Sequence, residues 1–101
     1  METLREAFVF NDWATRKLLD EAAGLADAEL DRPHDLFRTG FPTLRATLLH
    51  IAEIERRWLD RWHGRPEGPA PADPHASTVA VRERWEAAAA GRNAFVDALP
   101  P

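Results

Sequence analysis

The sequence contains no cysteine among its 101 residues. Disulfide bonds, thiolate metal ligands and a cysteine nucleophile are therefore excluded, which fits a cytoplasmic protein. No apolar run approaches the ~20 residues of a membrane-spanning helix. The N-terminus carries Glu2 and Glu6, and no signal peptide follows them. We expect a soluble cytoplasmic protein that does not associate with membranes.

An excess of positive charge is also missing, because the formal net charge is −4. Binding to nucleic acid needs a concentrated basic face. In the basic cluster of the middle region, acidic residues alternate with arginines: Glu53, Glu55, Arg56, Arg57, Asp60 and Arg61. We predict a solvated, salt-bridged helix surface there and no nucleic-acid partner.

Strand-like alternation, internal repeats and a glycine-rich phosphate loop are absent from the sequence, and helical periodicity dominates. The clearest helix is predicted over Thr43–His63. Its apolar face consists of Leu44, Leu48, Ile51, Trp58 and Trp62. Pro42 and Thr43 suit its first turn, and Gly64 with Pro66 ends it.

A first long helix is predicted from about Glu2 to Ala23, before Gly24. Its inner face is expected to contain Leu4, Ala7, Phe8, Asn11, Thr15, Leu18 and Ala22. Val9 and Trp13 fall on the opposite face, and a helix with apolar groups on two sides needs two partners. The second partner is expected to be another subunit.

A short helical turn over Asp27–Asp31, capped by Asp27, is predicted next. The irregular link 33–41 follows and contains His34, Phe37 and Phe41. Because this link is short, we expect the first two long helices to be antiparallel.

A third long helix is predicted from Ser77 or Thr78 to about Ala98. Its inner face comprises Val81, Trp85, Ala88, Ala89, Val96 and Leu99. The preceding segment 64–76 is rich in proline and glycine, and at ~3.1 Å per residue it can run back along the whole second helix. The third helix is therefore predicted to lie parallel to the second.

Several short motifs resemble those of the DinB/YfiT-like family of metalloenzymes. They are Asn11-Asp12-Trp13-Ala14, Leu25-Ala26-Asp27-Ala28-Glu29-Leu30, Thr47-Leu48-Leu49-His50-Ile51, and Glu55 with Trp58-Leu59. The resemblance covers essentially all 101 residues. It implies an all-α, up-down-down-up four-helix bundle, of which residues 1–101 supply three long helices as a single domain.

The same resemblance implies a divalent metal, nickel or zinc, held by three histidines. His50 matches the first ligand, on the second long helix. The other two belong to an H-x-x-x-H pair on the last helix, and the sequence contains no such pair. We therefore expect an incomplete metal site in a bundle that lacks its last helix, either as the N-terminal part of a longer protein or as a shortened relative.

Two interpretations of His50 stay open: a metal ligand, or an ordinary surface or hydrogen-bonded histidine. A di-metal site with Glu53 is disfavoured, because bundles of that type place a glutamate three residues before the histidine, where Thr47 stands. Glu55 projects into the apolar face. It is expected to pair with Arg92 rather than to act as a catalytic acid or base.

Two functional hypotheses follow. In the first, the protein is a metal-dependent enzyme, for which the resemblance implies transfer or isomerisation of a small-molecule substrate with a low-molecular-weight thiol, the metal lowering the pKa of the thiol or of water. In the second, it is a non-catalytic module for dimerisation or partner binding whose metal site has been lost. A homodimer is expected in both. The tryptophans are interpreted as core or dimer-interface residues: Trp13, Trp58, Trp62 and Trp85.

Overall fold

A computed structural model describes residues 2–33, 42–66 and 73–100. These ranges contain four helices: α1 (Glu2–Ala23), α2 (Asp27–Leu30), α3 (Leu44–Trp62) and α4 (Thr78–Asp97). No strand occurs in them. The protein is therefore all-α, and the bounds of its three long helices agree with the sequence-based prediction. The link with His34, Phe37 and Phe41 lies outside the described residues.

Side chains cap the N-termini of α3 and α4. The Thr43 hydroxyl accepts a hydrogen bond from the backbone N–H of Ala46 at 3.1 Å, as predicted. Ser77, rather than Thr78, caps α4 by accepting from the N–H of Ala80 at 3.1 Å. Gly64 follows α3 with a φ of 70°, a left-handed conformation that glycine adopts without strain.

The predicted cap of the short helix is wrong. Ala26 is the N-cap residue of α2 and makes no side-chain capping bond. Asp27 lies inside the first turn, and its carboxylate accepts a hydrogen bond from Arg45 of α3 at 2.7 Å. This charged, buried partner replaces the capping interaction expected from the local sequence.

Contacts at both ends show that α3 and α4 are parallel. At one end, Arg45 donates to the carbonyl oxygen of Ala76, which precedes α4, at 2.6 Å. At the other end, the rings of Trp62 and Phe95 lie 5.4 Å apart. The parallel arrangement predicted from the long connection is therefore confirmed.

Helix α1 runs antiparallel to α4. Its beginning is joined to the end of α4 by Arg5 and Asp97, which are 3.1 Å apart. Its later part is joined to the first half of α4 by Asp20 and Arg82, 2.7 Å apart. The long helices of the described ranges thus run up, down and down.

The core lies where α1, α3 and α4 meet. Its buried members are Leu19, Ala22, Leu30, Leu48, Ala52, Ala76, Val81, Trp85 and Ala89. The predicted inner face of α4 is confirmed, with five of its residues buried and Leu99 half-buried. On α3, Leu48 is buried, but Trp58 and Trp62 lie at the edge of the interface and are 49% and 37% exposed.

The predicted face of α1 is confirmed in part. Ala22 is buried and Leu4, Phe8 and Thr15 are half-buried, as predicted. Ala7, Asn11 and Leu18 are exposed instead, whereas Asp12 and Leu19 are buried, so the inner face is rotated by less than the ~100° that separates consecutive residues. The rotation places the Asp12 carboxylate against Arg92 of α4. None of the described helices is long and apolar enough to cross a membrane.

Candidate functional site

His50 lies on α3 and is half-buried. Thr47 and Ile54 stand three residues before and four residues after it, on the same side of the helix. Ile54 lines a groove between α1 and α3, so His50 lies one turn away from that groove on the same helix face. The imidazole is thus placed on a regular helix beside a cavity.

The other histidines do not join His50. His63 follows α3 thirteen residues later, ~20 Å along the helix axis, and its ring packs against Phe95 at 5.1 Å. His75 is exposed, and its backbone N–H donates to Asp73 at 2.9 Å. His34 lies outside the described residues.

A group of three histidine, cysteine, aspartate or glutamate side chains that could hold a metal ion is not found in residues 2–33, 42–66 and 73–100. The imidazole of His50 has the right chemistry for one nickel or zinc ligand. A complete ligand set needs further donors, because such sites use three or more protein ligands. The described residues therefore fit one position of the implied metal site and do not form the whole site.

A cluster of charged side chains ties the three long helices together near the same groove. Arg92 of α4 donates to the Asp12 carboxylate of α1 and, at 2.5 Å, to the Glu55 carboxylate of α3. The amide of Asn93 donates to the other oxygen of Asp12 at 3.1 Å. We call these four residues the Arg92 cluster. The pairing of Glu55 with Arg92 was predicted from the sequence and is confirmed.

The side chains of the Arg92 cluster are largely shielded from solvent. The side chain of Arg92 is 3% exposed, that of Asp12 6% and that of Glu55 17%. The Arg92 guanidinium also lies over the ring of Phe8, 4.4 Å from its centre, in a cation–π contact. Two carboxylates share one guanidinium in this cluster.

The inward position of Asp12 was not predicted, although the spacing of its neighbours on α1 indicates it. Phe8, Asp12, Thr15 and Leu19 recur at spacings of four, three and four residues, which is the pattern of one helix face. A carboxylate at the second position of that series is unfavourable on an inward face unless it is paired, because an isolated buried charge is costly. Its partner, Arg92, lies 80 residues further along the chain.

The α1–α3 groove is defined by Phe8, Ile54, Glu55, Trp58, Leu59, Trp62 and Arg92. It encloses about 310 Å³, at the lower end of the range for small-molecule pockets. Aromatic rings form much of its wall, and Trp62 contacts Phe8 edge to face at 6.4 Å. Glu55 and Arg92 supply its polar groups. These two side chains are paired with each other, so the rest of the lining is apolar and aromatic.

Glu53, three residues after His50, is buried and paired with arginines of its own helix. Its carboxylate accepts hydrogen bonds from Arg56 and from Arg57, the latter at 3.2 Å. Burial raises the pKa of Glu53, but the hydrogen bonds and charges of the two arginines outweigh burial and hold the pKa below its usual value. The Glu53 carboxylate is therefore engaged by two arginines.

Three long helices in up-down-down order, with a half-buried histidine on the second, define an all-α bundle of the kind that builds sites between its helices. The family model of the DinB superfamily matches residues 11–101. The chain therefore belongs to the DinB superfamily. The match covers α2, α3, α4 and most of α1, including His50 and the Arg92 cluster. No curated protein and no solved structure shows a significant match to the chain.

Proposed function

We propose that the protein is a divalent-metal-binding member of the DinB superfamily in which His50 supplies one ligand to nickel or zinc. The observation that carries the proposal is the position of His50, half-buried on α3 within the Thr47–Ile51 motif and one turn from the α1–α3 groove. An imidazole fixed on a helix beside a cavity is suited to hold a metal where a small molecule can reach it.

The described residues supply only part of the proposed metal site. They supply one nitrogen donor, and ions such as nickel and zinc prefer imidazole ligands. The remaining ligands are then residues outside the described ranges or residues of a second molecule. The proposal therefore concerns the binding of the metal by His50 and the place where it binds.

Metal titration of the protein expressed from its own gene tests this proposal. Nickel and zinc affinities are measured by calorimetry in competition with a chelator for the wild type, His50→Ala and His63→Ala. Loss of a residue that only orients a ligand already costs ~10–100-fold in metal affinity, so loss of a ligand is expected to cost more than about 100-fold. His63→Ala, on the same helix, serves as the matched control.

We expect His63→Ala to bind metal as the wild type does, because its ring packs against Phe95 far from His50. Equal metal affinity of His50→Ala and the wild type would refute the proposal. A loss of affinity in both variants would also contradict it, since the effect would then not be specific to His50.

For the metal-bound protein we propose a transferase or isomerase reaction on a small molecule with a low-molecular-weight thiol. The groove supports this extension, because its largely aromatic wall suits a small apolar ligand. Cobalt substitution provides the test. Addition of 2-mercaptoethanol or glutathione is expected to produce a thiolate-to-metal absorption band, and its absence with both thiols would exclude direct thiol ligation.

A second candidate function, a non-catalytic dimerisation module, is favoured by an apolar patch on α1. Val9, Phe10 and Trp13 are 71%, 68% and 59% exposed. The rings of Phe10 and Trp13 lie 6.0 Å apart, so the patch is continuous. Exposed aromatic residues that lie together are typical of surfaces that contact another protein.

Sedimentation velocity separates this candidate from a monomeric protein. If α1 forms the dimer interface, Trp13→Glu is expected to convert a dimer into a monomer, whereas Ala14→Glu, at a neighbouring exposed position, leaves the dimer intact. A wild-type protein that stays monomeric at micromolar concentration would exclude the dimerisation module. Metal binding through His50 would still be tested by the titration.

A further inference from the structure

A second groove lies between α3 and α4 and belongs neither to the Arg92 cluster nor to His50. Its floor is apolar and consists of Leu49, Ala52, Leu59 and Ala88. It encloses about 320 Å³. Leu59 is the one residue that it shares with the α1–α3 groove. We call it the α3–α4 groove.

The polar residues of the α3–α4 groove carry a surplus of positive charge. They are Glu53, Arg56 and Arg84, which gives a net charge of +1. Arg56 is already engaged, because it binds Glu53 and donates to Asp60 at 3.0 Å. Glu53 forms ion pairs with Arg56 and Arg57, which balance its negative charge.

Arg84 differs from the other arginines of this surface. It is exposed on α4, and within residues 2–33, 42–66 and 73–100 its side chain forms no ion pair or hydrogen bond. A guanidinium at the edge of an apolar groove, with its hydrogen-bond donors available, is suited to bind a carboxylate. The apolar floor and the Arg84 guanidinium are together complementary to a ligand with an anionic head and an apolar tail.

We propose that the α3–α4 groove binds a small aliphatic monocarboxylate, with its hydrocarbon chain on Leu49, Ala52 and Leu59 and its carboxylate at Arg84. Burial of the chain supplies most of the affinity, because the hydrophobic contribution grows with the apolar area removed from water. The ion pair selects the carboxylate over a neutral molecule of the same length. This inference is independent of metal binding.

An NMR titration of the isotopically labelled, metal-free full protein tests the inference, with octanoate as the probe and octanol as its neutral analogue. Octanoate is expected to shift the amide signals of Leu49, Ala87 and Ala88 in a saturable way. An exposed ion pair contributes up to ~1 kcal/mol, which corresponds to about fivefold. Octanoate should therefore bind about fivefold more tightly than octanol.

Two variants locate the two parts of the ligand. Arg84→Gln is expected to weaken octanoate about fivefold and to leave octanol unchanged. Ala87→Leu places a larger side chain in the groove lining at an exposed helical position, and it should abolish the binding of both molecules. Neither change removes an ion pair between described residues.

The matched controls are Arg32→Gln, which removes an exposed arginine near α2, and Ala90→Leu, which enlarges an exposed alanine outside the groove lining. Both should bind octanoate as the wild type does. The inference is overturned if octanoate does not bind, if the shifted signals map to α1, or if Arg84→Gln and Ala87→Leu bind octanoate like their controls.

Discussion

Removal of the Arg92 guanidinium is expected to destabilise the protein more than removal of any exposed arginine. In Arg92→Met, a side chain of similar length keeps the packing, but the buried carboxylate of Asp12 and the half-buried carboxylate of Glu55 lose their shared cation. Removal of one partner of a buried ion pair costs ~3–5 kcal/mol. Domains of this size have a total stability of ~5–15 kcal/mol, so the loss is a large share of it.

Urea denaturation followed by far-ultraviolet circular dichroism measures this loss at neutral pH. In thermal unfolding, each kcal/mol shifts the midpoint by ~4–8 °C for such a domain, so the variant should melt at least about 12 °C lower. Arg16→Met is the control. Its ion pair with Glu86 is far more exposed than the Arg92 cluster, at 45% and 38%, and the loss of this pair is expected to cost less than about 1 kcal/mol.

A triple variant separates the loss of charge balance from the loss of packing. Arg92→Met combined with Asp12→Leu and Glu55→Leu replaces all three charges of the Arg92 cluster by apolar groups, and such replacements of buried ion pairs are often neutral or stabilising. The triple variant should therefore be more stable than Arg92→Met alone. The reasoning is refuted if Arg92→Met unfolds within about 1 kcal/mol of the wild type, or if the triple variant is no more stable than the single one.

Two further predictions concern the other buried charges. Arg45, whose side chain is 5% exposed, binds Asp27, Asp31 and the carbonyl oxygen of Ala76. Arg45→Met should therefore release α2 and reduce the amide-exchange protection of Leu30. Unchanged protection would contradict this role. Glu53 has a folded-state pKa below its ordinary value of 4.5, so its stabilising contribution is present above that pH and is lost as the pH falls through the folded-state pKa. The stability difference between the wild type and Glu53→Gln should therefore be largest at neutral pH and vanish in acid, and an equal difference at neutral pH and at about pH 3 would contradict this.

Helices α3 and α4 were predictable because their local signals agree with their tertiary environment. Capping residues, Thr43 and Ser77, stand directly before apolar residues at helical spacing. The parallel arrangement of the two helices also followed from the sequence, since the length of the connecting segment determines how far it reaches. The helix caps and the length of the connection can both be read from short stretches of the sequence.

The orientation of α1 could not be derived in the same way. Apolar side chains surround this helix, and Val9, Phe10 and Trp13 are exposed in the structure. The helical period therefore does not single out one face. The inner face includes Asp12, whose burial is tolerated because the fold brings Arg92 to it.

The candidate site was predictable in part for the same reason. His50 could be located on α3 by its motif and by the helical period, and the pairing of Glu55 with Arg92 follows from their positions on two inner faces. The burial of Arg45 was not predictable. An arginine in the first turn of a helix is normally exposed, and its partners on α2 come close only in the folded chain.

The central claim, that His50 binds a divalent metal, is tested most directly by the metal content of the protein purified from expression of its own gene. Elemental analysis by mass spectrometry gives the number of nickel or zinc ions per chain for the wild type, His50→Ala and His63→Ala. We predict about one ion per chain in the wild type and in His63→Ala, and a loss of most of the metal in His50→Ala. A wild-type protein without metal after incubation with both ions, or a His50→Ala variant with the same metal content as the wild type, would contradict the claim.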